Sequence, residues 1–108
     1  MSLETPPEQR RVPVLPAHEA RQRLEHERNS RLAQLTAMEE SGHPAEDQLM
    51  AAQMTSIRRV LKEIEEALVR VDEGTYGVCQ DCNKPIPVER LEILPYARAC
   101  VSCQQRAS

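Results

Sequence analysis

YGVCQDCNKPIPVERLEILPYARACVSCQ, residues Tyr76 to Gln104, holds all four cysteines of the 108-residue chain. Cys79 and Cys82 form one Cys-x-x-Cys pair and Cys100 and Cys103 a second, with seventeen residues, Asn83 to Ala99, between them. Two thiols three positions apart reach one ion from a single tight turn, and a second such turn completes a tetrahedron around Zn2+. Two disulfides would need an oxidising compartment, to which nothing in the sequence points. A thioredoxin-like redox pair would need a βαβ context, which is absent. Four thiolates fill the coordination sphere, so the expected zinc is structural, with no open position for water or substrate. No histidine lies in the stretch to replace a cysteine.

The residues between the pairs suit a small finger. Asn83 follows the first pair, where the chain must turn sharply, and Asn tolerates positive φ. Pro85 and Pro87 make residues 84–88, KPIPV, a poor helix and a candidate edge strand. Val88 to Leu94 reads as a short helix ended by Pro95. A last helical segment is expected from Cys100 to Arg106. Ile86, Leu91, Ile93, Leu94 and Tyr96 are the candidate finger core, too little apolar area to fold without metal.

This stretch resembles the C-terminal zinc finger of the DksA/TraR family of bacterial transcription regulators. The matching residues are Tyr76-Gly77-Val78-Cys79, Arg90-Leu91-Glu92, Pro95 and Cys100 to Cys103. Asn83 departs from the pattern, which usually has glycine there. The close match covers about thirty residues, and the preceding helix matches in character. The resemblance implies RNA polymerase as the protein partner, reached by a helical hairpin inserted into its secondary channel. Its best-known hairpin-tip pattern, Asp-x-x-Asp-x-Ala, is absent from this chain.

Composition agrees with helices rather than a large globular core. Aromatic content is 2%, with no Trp and no Phe, and the net charge is −3. That acidic balance, without stacking aromatics, argues against direct nucleic-acid binding. The N-terminus, MSLETPPEQRR, has no apolar signal core, and no apolar run is long enough to span a membrane, so a cytoplasmic protein is expected.

Taken in order, residues 1–16 contain four prolines and read as a flexible tail, with Val12-Pro13-Val14-Leu15 a possible docking stretch. Residues 17–73 read as a helical hairpin. Ala17 to Glu40 is rich in helix formers, with Ala20, Leu24, Leu32, Leu35 and Met38 on one stripe interrupted near Arg28 and Arg31. Ser41-Gly42-His43-Pro44 breaks that helix, and the next is expected to begin near Pro44 or Ala45, with Glu46 and Asp47 in its first turn. Met54, Ile57, Leu61, Ile64, Leu68 and Val71 then recur at alternating spacings of three and four, a heptad seam, while Arg58, Arg59, Lys62, Glu63, Glu65, Glu66 and Arg70 fall on the outer face. Gly74 marks the C-terminal stop. A narrow seam needs a partner, and the adjacent helix of similar length supplies it in an antiparallel hairpin. Residues 74–108 form the finger.

The expected fold class is therefore mainly α: an antiparallel coiled-coil hairpin followed by a four-cysteine zinc finger. The expected metal ligands are Cys79, Cys82, Cys100 and Cys103. Glu46 and Asp47, at a tip spanning about residues 41–47, are the candidate partner-binding acids. Lys84, Arg90, Arg98 and Arg106 surround the finger and offset the charge of a four-thiolate zinc. No side-chain constellation is poised for nucleophilic attack, so no enzyme is expected. The function implied is a monomeric, polymerase-binding regulator. The competing readings are a zinc-ribbon nucleic-acid binder and a redox-sensing adaptor that releases zinc on thiol oxidation.

Overall fold

A computed structural model describes residues 15–42 and 47–107. Two long helices dominate it: α1, Ala17–Ser41, and α2, Gln48–Glu73. Two short ones follow, α3 over Val88–Ile93 and α4 over Val101–Ala107. There is no named strand among the described residues, and the whole measures 71 × 30 × 22 Å.

Helices α1 and α2 form the expected hairpin. Arg21 pairs with Asp72 at 2.7 Å and Arg28 with Glu65 at 3.5 Å. Seven steps forward on α1 thus correspond to seven steps back on α2, which fixes the antiparallel direction. The seam closes best at the base, next to the finger. Ala20 and Leu24 of α1 are fully buried against Ile64, Ala67 and Val71 of α2. Met54 and Ile57 continue the buried seam of α2 away from the base, whereas Leu61 and Leu68 are half-buried.

The α1 stripe is thinner than its pattern suggests. Leu35 and Met38 are half-buried, but Leu32 is 44% exposed. Leu32 lies eight residues beyond Leu24, and at about 100° per residue that carries it some 80° off the seam line. Arg28, about 40° from Leu24 around the helix, makes an ion pair across to Glu65.

The helix ends follow local chemistry. Asp47 is the N-cap of α2 rather than a first-turn residue: its backbone is extended, and its Oδ1 accepts the Met50 N–H at 3.0 Å. The helix therefore starts at Gln48, later than the expected Pro44 or Ala45. Glu46, the other candidate tip acid, lies outside the described residues, as does the Val12–Val14 part of the possible docking stretch. At the far end, Gly74 takes φ 78°, and its N–H caps the carbonyls of Arg70 and Val71. Pro16 precedes α1, and its carbonyl receives the Ala20 N–H at 2.8 Å.

Arg70 is a clear departure from the expected outer face, since only 7% of it is exposed. It lies three residues beyond Ala67 and beside Val71, on the flank of the seam that the finger covers. Its Nη2 reaches the Tyr96 carbonyl at 3.5 Å, and burial lowers its pKa from the usual arginine value.

Buried-seam truncation should be felt far more than truncation at the exposed part of the stripe. Ile64→Ala is expected to cost about 2–5 kcal/mol, as large-to-small core changes do. Leu32→Ala is expected to stay within roughly 0.5 kcal/mol, as exposed substitutions do. Chemical denaturation of the zinc-loaded protein, followed by helical circular dichroism, checks both.

Candidate metal centre

The first cysteine turn is built by backbone hydrogen bonds. Cys79 N–H donates to the Lys84 carbonyl at 2.8 Å, and Asn83 N–H returns to the Cys79 carbonyl at 2.9 Å. Asn83 closes the turn with φ 63°, the positive value its short polar side chain tolerates. Gly77, with φ 84°, bends the chain into this turn, and its carbonyl receives the Ile86 N–H at 2.8 Å. The expected edge strand shrinks to a single antiparallel bridge, Val78 to Pro85. Pro85 and Pro87 have no N–H to extend a ladder, so the pairing stops there.

The second pair is brought in by α3 and the loop after it. Leu91 of α3 is buried with Ile86, Ala97, Ala99, Cys79 and Cys103. Ile93 is not part of this core and is 77% exposed. It sits two residues from Leu91, about 200° around the helix, so the two cannot face the same way. Leu94 and Tyr96 are half-buried, and Pro95 is buried directly behind the end of α3. Arg90 Nε donates to the Ala99 carbonyl at 3.2 Å, tying α3 to the segment before Cys100. Gln80 N–H donates to the Arg98 carbonyl at 2.9 Å, tying the first cysteine turn to the same segment.

These ties gather Cys79, Cys82, Cys100 and Cys103 so that their sulfurs all lie within 4.8 Å of one another. Sulfurs at the corners of a zinc tetrahedron, with Zn–S about 2.3 Å, stand about 3.8 Å apart. Cys82 and Cys100 Sγ are 3.8 Å apart, which fits that edge and is far too long for a disulfide.

The donors around Cys79 and Cys100 favour their thiolates. The Cys79 thiol is pulled down to about 6, first by the Cys100 backbone N–H, with the N–H groups of Cys82 and Asp81 adding and burial opposing. Cys100 is lowered as well, first by the Cys103 backbone N–H. Cys103 is pushed up to about 12, first because it shares hydrogen bonding with the Cys100 side chain, then by burial. Four sulfurs this close cannot all ionise unless a cation lies among them. The set therefore fits a structural zinc, which neutralises part of that charge and closes the fold.

Of the four cations expected around the finger, only Arg106 has a described side-chain bond to a sulfur, Nη2 to Cys103 Sγ at 3.0 Å. Arg90 instead braces the backbone. Arg98 faces a cleft of about 330 Å3 between α2 and the finger, which Glu63, Glu66, Arg70, Arg90 and Tyr96 also line.

Two residues that the sequence did not mark as structural joints hold the centre to the hairpin. Tyr76 Oη donates to the Pro95 carbonyl at 2.8 Å, and burial pushes its phenol up to about 12. Leu15 packs against both the finger core and the base of the hairpin seam. Tyr76 was legible only as the aromatic ahead of the first cysteine pair, and Leu15 only as the end of the Val12-Pro13-Val14-Leu15 docking stretch, with no sign of what it would touch. Tyr76→Phe removes one hydrogen bond while keeping the ring. It is expected to cost about 1 kcal/mol with zinc content unchanged, checked by thermal denaturation and metal analysis.

Comparison with known proteins agrees with this geometry. Residues 74–108 match the family model of the prokaryotic DksA/TraR C4-type zinc finger. General stress protein 16O of Bacillus subtilis is 49% identical over 47 residues, covering 44% of this chain and 29% of that protein. The RNA polymerase-binding transcription factor DksA of Escherichia coli K12 is 36% identical over 50 residues, 46% of this chain and 33% of its own. The matched stretch thus spans about a third of these curated relatives. Among solved structures, transcription factor DksA2 of Pseudomonas aeruginosa superposes with a TM-score of 0.53 at 26% identity, covering 84% of this chain and 76% of that one. A Dks protein of Chlamydia trachomatis shares the fold, with a TM-score of 0.50 at 21% identity over 87% of this chain and 91% of that one. The chain therefore carries a C4 zinc finger of the DksA/TraR type at residues 74–108, seated at the base of a helical hairpin of the DksA fold.

Proposed function

We propose that this chain is an RNA polymerase-binding transcription regulator of the DksA/TraR type. The observation that carries the reading is the four-sulfur centre fixed at the base of a long, narrow hairpin. The family match of the finger and the polymerase-binding relatives support it. In this reading Cys79, Cys82, Cys100 and Cys103 hold one structural zinc. The hairpin, residues 17–73, enters the secondary channel of the polymerase, and the finger, residues 74–108, stays at the channel mouth. The protein acts as a monomer in the cytoplasm, by contact with polymerase rather than by reading DNA. The net charge of −3 weakens any purely electrostatic hold on nucleic acid. Among the described residues, no helix is long and apolar enough to cross a membrane.

The tip acids are the second part of the proposal. Asp47, with Glu46 next to it in sequence, supplies the negative charge that acts inside the channel. Asp47 has a structural duty as well, because its carboxylate caps α2. A test that removes the charge must therefore keep the cap. Asn caps as well as Asp, whereas Ala would cost about 0.5–2 kcal/mol of helix stability.

Three outcomes follow from the proposal. Zinc-loaded protein is expected to co-purify with polymerase core at low salt, and failure to bind would contradict the partner assignment. Glu46→Gln with Asp47→Asn is expected to leave polymerase binding intact and weaken the effect on transcription in vitro. An unchanged transcription profile would remove these two residues from the mechanism. Cys82→Ser or Cys103→Ser is expected to lose zinc and unfold the finger while most helical circular dichroism survives, because most helical residues lie in the hairpin.

A further inference from the structure

Two apolar side chains belong to both of the protein's cores. Leu15 and Tyr76 each pack against the finger cluster around Ile86 and Leu91, and each also packs against the hairpin-base cluster around Leu24 and Ile64. They come from opposite sides of the hairpin in sequence. Leu15 lies two residues before α1 begins at Ala17, and Tyr76 three residues after α2 ends at Glu73. The chain thus places one apolar side chain against the finger on its way into the hairpin and another on its way out.

Tyr96 of the finger also packs against the hairpin-base cluster, but among the described residues only Leu15 and Tyr76 pack against both clusters. Among the described elements, only α1 and α2 pack closely helix against helix, and α3 reaches the hairpin through side chains alone. The polar ties are sparse: Arg23 to Glu92 at 3.8 Å, with both side chains substantially exposed, and Arg70 to the Tyr96 carbonyl at 3.5 Å. Long or solvent-screened contacts of this kind set orientation weakly, whereas close-packed apolar side chains resist shear because any displacement opens a void.

We propose that Leu15 and Tyr76 are the positioning residues that hold hairpin and finger at one fixed angle, with Leu15 stapling the finger from the N-terminal side. The inference goes beyond the polymerase reading and concerns the chain alone. Each part keeps its own reason to fold: the finger its metal and the core around Leu91, the hairpin its seam. Loss of a staple therefore frees their relative motion before it unfolds either one.

The test is backbone 15N relaxation on the full-length, zinc-loaded protein, without polymerase. In the unmodified chain one anisotropic tumbling tensor should fit both parts. In Leu15→Ala the chain should still bind one zinc and keep its helical signal. The amides of residues 76–104 should then require a shorter correlation time than those of α1 and α2. Leu15→Met, which conserves volume, should restore single-body tumbling. Tyr76→Phe keeps the ring and should also tumble as one body, while Tyr76→Ala should not. The proposal is overturned if Leu15→Ala tumbles as a single body, if it loses its zinc, or if Met fails to rescue it. It is also overturned if Tyr76→Phe alone uncouples the parts, since the joint would then be polar.

Discussion

Four thiol sulfurs within 4.8 Å of one another cannot all carry charge without a cation among them, and the finger is arranged around that constraint. Backbone N–H groups, that of Cys100 foremost, hold the Cys79 thiol below its usual pKa, and Arg106 brings a guanidinium to Cys103. The remaining apolar core, centred on Ile86 and Leu91 with Ala97 and Ala99, is too small to offset the ordering of some thirty residues. Metal binding and folding of this unit are therefore one equilibrium. Asn83 at positive φ, Gly77 and the isolated bridge at Val78 and Pro85 are the local devices that let two short turns face one point.

The hairpin follows a different physical rule. Its stability comes from a seam that is tightest beside the finger, where Ala20 and Leu24 meet Ile64, Ala67 and Val71, with Met54 and Ile57 buried farther along α2. Farther out, Arg28 bridges to Glu65 and Leu32 is half open to solvent. Local stability follows burial, so the distal part should open more readily than the base.

Much of this was legible in the sequence, and the misses have common causes. The cysteine spacing anticipated the four-sulfur cluster because two Cys-x-x-Cys turns can converge on one point. The alternating three-and-four spacing from Met54 to Val71 specified α2 and its buried face, and Gly74 and Asn83 named their own backbone angles. Arg70 was misread because a charge beside a seam normally faces water, and only the finger folded over it makes that flank interior. Ile93 was misread because composition says apolar but the helical angle from Leu91 says outward. Asp47 was read as a general first-turn acid, whereas cap geometry gives it a specific hydrogen-bonding duty. Leu15 was legible only as the end of the apolar Val12-Pro13-Val14-Leu15 stretch, because its contacts are with residues distant in sequence.

The most direct measurement of the central claim is zinc removal by a chelator, followed residue by residue in 1H–15N spectra. One zinc per chain is expected at the start. As metal leaves, the amide dispersion of residues 76–104 should collapse while the distal part of α2 keeps its helical shifts, and both should recover on adding zinc back. Metal-free protein whose finger amides stay dispersed and native would contradict the account.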